Sequence, residues 1–125
     1  GLEAWREAGY EIDTLECINV EAFATRFTHN PDLHVLDVRR HSEYETEHVV
    51  GVENFPLDFV NKNITAIDPE KEYYIHCAGG YRSVIMCSIL KSRGFHRLTN
   101  ILGGFKALSE TPLKRTELHQ VNTDL

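Results

Sequence analysis

The sequence predicts an α/β protein with a largely parallel sheet covered by helices on both faces. Three observations carry that expectation. Short β-branched and aromatic runs alternate with helix-like segments, which is the rhythm of strand–helix–strand units. Two of the runs, Leu33-His34-Val35-Leu36-Asp37-Val38 and Tyr73-Tyr74-Ile75, place apolar groups on both faces, as strands between two helical layers must. The chain has 125 residues, of which 42% are hydrophobic and 26% charged, enough for one ordinary globular core.

Taken in order, strand-like runs fall at 16–18, 33–38, 52–54, 73–76 and 98–101. The first full helix starts after Asn19, whose side chain suits an N-cap. Val20, Phe23, Ala24 and Phe27 then recur at the spacing of one buried stripe. His29-Asn30-Pro31-Asp32 ends that helix with turn chemistry. A short helix is expected over 42–47 and another from near Asp58. The longest runs over 82–93, crowded with Val84, Ile85, Met86, Cys87, Ile89 and Leu90, and Gly94 stands where a helix stop belongs. From Ser109 onward the periodicity fades. Leu113 and Leu118 are candidates to pack on the body, and the last few residues are expected to be loose.

Composition excludes several roles. A formal net charge of −6 disfavours nucleic acid, which needs a basic face to displace counterions. No apolar run is long enough to span a bilayer, and no signal-peptide pattern opens the chain, so no membrane partner is expected. Cys17, Cys77 and Cys87 are odd in number and widely spaced, which argues against a disulfide framework and for a reducing, cytoplasmic compartment. Seven histidines show no ligand spacing with cysteines or carboxylates, so no metal site is expected. Asn63-Ile64-Thr65 matches a glycosylation acceptor, a tripeptide that arises by chance.

The chemistry concentrates in Tyr74-Ile75-His76-Cys77-Ala78-Gly79-Gly80-Tyr81-Arg82-Ser83. A buried strand ends at a cysteine, a short Gly-rich loop follows, and a long helix opens. Ligand sites of open α/β sheets lie at the carboxyl ends of strands. Gly79 and Gly80 permit the unusual dihedrals that turn successive amides inward, and the helix adds its positive end. A thiol placed there is expected to ionise more readily than free cysteine. Arg82 is expected to add a fixed charge and a bidentate donor for an oxyanion.

At these residues the sequence resembles the rhodanese family of sulfurtransferases. Leu36-Asp37-Val38-Arg39, then Glu43-Tyr44, His48, Gly51, Asn54 and Pro56 follow the family's order and spacing. Cys77 to Ser83 is similar to its active-site loop, and Gly103-Gly104 to its closing turn. The resemblance implies a three-layer fold with a central, mostly parallel sheet of five strands. It implies sulfur transfer without a cofactor: Cys77 takes the outer sulfur of a small donor such as thiosulfate or a persulfide, then yields it to a thiol or another nucleophile. The loop residues Ala78, Gly79, Gly80, Tyr81, Arg82 and Ser83 would bind the substrate and the anionic intermediate. Related phosphatases and arsenate reductases carry one more residue between cysteine and arginine, so the shorter loop here favours a single sulfur over a phosphate. The remaining alternative is a non-catalytic regulatory or docking module of a larger protein.

Two departures stand out. Glu47 precedes His48 where the family usually has glycine, and Leu108 replaces a usual tryptophan. Ala78 is small and neutral, which leaves the donor open. Asp37 and Arg39 read as a buried pair supporting the fold, and His48 as a loop tie. His76 reads as structural, because strand alternation points it away from the face that Cys77 uses. Tyr81 is expected to be exposed at the loop tip, and Cys17 and Cys87 to be core residues. Gly1-Leu2-Glu3-Ala4-Trp5 recurs loosely as Gly104-Phe105-Lys106-Ala107-Leu108. The expected division is therefore a remnant of a preceding, similar domain over 1–13, a rhodanese-like domain over 14–110 and a tail over 111–125. A fused upstream rhodanese or metallo-β-lactamase-like domain is the corresponding partner.

Overall fold

The computed structural model describes residues 15–118. In chain order these form β1 (Glu16–Ile18), α1 (Val20–His29), β2 (His34–Asp37), α2 (His41–Thr46) and β3 (Glu53–Asn54). Then come α3 (Val60–Asn63), between 3-10 turns at Leu57–Phe59 and Ile64–Ala66, β4 (Tyr73–His76), α4 (Tyr81–Ser92), β5 (Leu98–Ile101) and α5 (Gly104–Leu108). The five strands pair in the order β1-β5-β4-β2-β3, and every pairing is parallel. Parallel neighbours need a crossover, and helices supply it on both faces. The register sets Asp37 beside both His76 and Asn54, so the carboxyl ends of the three strands form one edge.

Strand alternation divides the core into two halves. Leu36, Tyr73, Ile75 and Leu98 face Met86, Cys87 and Leu90 of α4. Val35, Tyr74 and Ile101 face Val20, Phe23 and Phe27 of α1 and Leu108 of α5. The helices begin and end for local reasons. The Asn19 side chain accepts the Ala22 amide at 2.8 Å and opens α1, whose predicted stripe is buried. At the other end of α4, Gly94 at φ +92° lets Phe95 donate back to the Leu90 carbonyl at 3.0 Å. In α4 itself Met86, Cys87 and Leu90 are buried while Val84, Ile85 and Ile89 are half-buried, because the helix meets the sheet along one side.

Two expectations need correcting. Cys17 is exposed rather than a core residue. Among the described residues β1 is an edge strand, paired only to β5, and of its three residues Ile18 alone is buried. Leu118 is 62% exposed, whereas Leu113 packs beneath α1 and α5 as expected. The segment 111–118 is tied to the body. Val50 donates to the Lys114 carbonyl, Thr116 donates to that of His48, and Val49 pairs with Arg115 in an antiparallel bridge. The segment 1–13 and the final residues of the tail lie outside the described residues. Among the described residues no helix is long and apolar enough to cross a membrane.

Candidate active site

Cys77 stands one residue past β4, at the carboxyl edge of the sheet, and is 1% exposed. Its Sγ accepts the Gly80 N–H at 3.1 Å. The Ser83 hydroxyl, itself buried, lies 3.6 Å from Sγ and donates to the Gly80 carbonyl at 3.3 Å. Gly80 caps α4 at φ +106°, a conformation that side chains rarely adopt. The loop thus closes on the sulfur, and a 12-residue helix directs its positive end toward it. Gly79 differs from the expectation. Its φ is outside the left-handed region and a Cβ there would meet nothing within 4 Å. Of the two glycines only Gly80 is required by the turn. Tyr81 is 78% exposed at the loop tip.

The loop is gripped from behind by α5. Phe105 donates its amide to the Cys77 carbonyl at 2.6 Å, and Lys106 donates to that of Ala78 at 3.0 Å. Gly104 makes the approach possible, because a Cβ there would lie 2.5 Å from the Cys77 oxygen and 2.6 Å from that of Ala78. The Gly103-Gly104 pair is visible in the sequence as a closing turn. Its grip on the loop is a tertiary contact that the sequence alone does not reveal.

Beneath the loop lies a buried polar frame. Arg39 Nε lies 2.9 and 3.0 Å from the two carboxylate oxygens of Asp37, and its Nη2 lies 2.8 Å from Oδ2. The same guanidinium donates to the Glu47 carbonyl at 2.8 Å and stands 4.2 Å over the Phe105 ring. The frame therefore braces the residue whose amide holds Cys77. His76 is fully buried, with Nδ1 3.0 Å from the Cys77 carbonyl. A carbonyl only accepts, so Nδ1 carries the proton, and Nε2 faces Asp37 Oδ2 at 3.7 Å with no hydrogen-bond partner among the described residues. Burial pushes the His76 pKa down, against a smaller upward pull from Asp37, which keeps the imidazole neutral. His48 ties its own segment to Tyr44 and Thr116. Its ring stacks on Tyr44 at 3.5 Å, and its Nδ1 meets the Tyr44 carbonyl at 2.8 Å.

Arg82 is already paired. Its Nη1 and Nη2 lie 2.7 and 3.0 Å from the two oxygens of Glu43, so the fork expected to hold an oxyanion is occupied by a carboxylate. The Arg82 hydrogen bond holds the Glu43 carboxyl well below its ordinary value, at about 2. In the sequence Glu43 is part of the family pattern and carries no signal of this pairing. Beside this pair opens a cleft of about 420 Å³, lined by Arg40, Ser42, Glu43, Leu57, Asp58 and Arg82 among others. Burial pushes the Cys87 thiol up to about 12, which leaves it protonated and unreactive. Among the described residues no group of three metal-ligating side chains exists.

Comparison with known proteins bears on the family. The chain is 35% identical over 89 residues to YrkF of Bacillus subtilis, provisionally named a sulfur carrier protein, covering 71% of this chain and 48% of that one. It thus spans about half the length of that relative. It is 32% identical over 83 residues to the thiosulfate sulfurtransferase PspE of Escherichia coli, covering 65% of this chain and 79% of that one. A rhodanese-like domain protein from Staphylococcus aureus shares the fold, with a TM-score of 0.72, 24% identity and coverage of 80% of this chain and 97% of that one. The model of the rhodanese-like domain itself matches residues 20–111, a span that runs from α1 through the Cys77 loop and past α5, and by that match the chain belongs to the rhodanese-like family.

Proposed function

We propose that this domain transfers a sulfane sulfur through a persulfide on Cys77. The observation that carries the reading is the setting of Sγ, which accepts the Gly80 amide at 3.1 Å within a loop of four residues between Cys77 and Arg82. The thiolate attacks the outer sulfur of the donor. A new S–S bond forms at Cys77, the donor's bond to that sulfur breaks, and sulfite or a thiolate departs with the electron pair. A thiol or another nucleophile then attacks the outer sulfur, and Cys77 leaves as thiolate. No net oxidant is needed, and the expected kinetics are ping-pong. The Gly80 amide and the start of α4 stabilise negative charge at the sulfur, as an oxyanion hole stabilises oxygen.

Intact-mass analysis tests the reading. Incubation with thiosulfate or glutathione persulfide should add the mass of one sulfur atom, and Cys77→Ser should abolish the gain. The absence of an adduct with both donors overturns the proposal. Hydrolysis of an aryl phosphate that depends on Cys77 would place the loop with the phosphatases instead.

A further inference from the structure

The loop arginine is neutralised before any substrate arrives. Glu43 is the third residue of α2, and its carboxylate is set from two directions. Oε1 accepts the Arg40 amide at 3.1 Å, a capping contact, and also meets Arg82 Nη1, while Oε2 meets Nη2. A group anchored to one helix and paired with the start of another is preorganised and does not swing away without breaking a cap. The second cation of the adjoining cleft is also matched, because Arg40 Nε lies 3.7 Å from Asp58. The cleft therefore offers both signs of charge and no surplus of positive charge.

The charge at the reacting atoms depends on the donor. Transfer from the thiosulfate dianion to a thiolate gathers one more unit of negative charge than transfer from an ionised organic persulfide. That excess resides on the sulfite leaving group, outside the sulfur itself, and would call on a free guanidinium. Resting on the sulfurtransferase reading above, we infer that Glu43 is a specificity-determining residue that, by occupying Arg82, selects organic persulfides over thiosulfate. In both cases the same bond forms at Cys77. The leaving group is a thiolate in one and sulfite in the other, and neither needs a further reactant.

The experiment compares loading of Cys77 by thiosulfate and by cysteine persulfide, whose ionised form carries one negative charge less, using initial rates from intact mass, in wild type and in Glu43→Gln. Glutamine keeps an oxygen for the Arg40 amide and removes the charge. The expected result is a rise of roughly tenfold in the thiosulfate-to-persulfide rate ratio, the scale of one partly screened unit charge. An unchanged ratio in a folded variant overturns the inference while leaving sulfur transfer standing. No adduct from either donor in wild type overturns both. A second measurement does not depend on the variant. Raising salt should speed thiosulfate loading of the wild type more than persulfide loading, because it screens the larger repulsion. A slowing of thiosulfate loading overturns the inference.

Discussion

Two arginine–carboxylate pairs adjoin the Cys77 loop, and they do different work. Asp37–Arg39 is fully enclosed, and its arginine is shared among a carboxylate, a backbone carbonyl and the Phe105 ring. Glu43–Arg82 has the same bidentate form, but its side chains are 34% and 30% exposed at the edge of a cleft. Water has been excluded from the first pair, so neither partner can be lost without stranding a charge. The second pair keeps much of its hydration, so its strength is modest and its charge can be altered. The frame is thus inner and enclosed, while the charge beside the cleft is outer and adjustable.

The largest effect should come from breaking the frame. Arg39→Ala strands Asp37 and removes the platform over Phe105, and is expected to destabilise by about 3–5 kcal/mol in urea unfolding. A loss below about 1 kcal/mol would erase the distinction between the pairs. Gly104→Ala tests the link between frame and loop. Its Cβ collides with two carbonyls, so a loss of about 1–3 kcal/mol is expected, with slower loading of Cys77. Normal loading would detach α5 from the site.

Glu43→Gln should cost no more than about 1 kcal/mol while changing donor preference. A larger loss would make the cleft pair another frame element. Acid titration separates the regions by pH. The folded His76 pKa is depressed, so below its ordinary value of 6.5 the unfolded chain takes up a proton that the buried imidazole refuses, and stability falls as pH falls. Glu43 is depressed from 4.5 to about 2, so its contribution is complete above 4.5 and lost only between there and about 2. Stability curves should therefore respond to His76→Gln near neutrality and to Glu43→Gln only in strong acid. The smallest effect is expected for Gly79→Ala, within about 0.5 kcal/mol, because that position needs neither positive φ nor space.

Much of this was legible in the residues. Two-faced apolar runs gave the parallel sheet, Asn19 and Gly94 marked helix ends, and the order Cys77, glycines, Arg82 marked the loop. Cys17 misled because apolar content does not say which strand lies at an edge. Gly79 and Gly80 are alike in sequence, and only the dihedral at Gly80 distinguishes them. Glu47 interrupts a usual glycine, and only the fold brings Arg115 of the tail to its carboxylate, 3.3 Å away.

By itself the sequence determined what is local or periodic: strand and helix identity, the cap residues, and the cysteine at a strand end before a Gly-rich turn. Those features follow from backbone sterics and hydrophobic spacing, which act over a few residues. The tertiary structure decided which distant groups meet. It set Glu43 on Arg82 across 39 positions, and the α5 amides on the carbonyls of Cys77 and Ala78. Charge pairing and hydrogen bonding depend on distance in space, and only the packed sheet and its helices fix those distances.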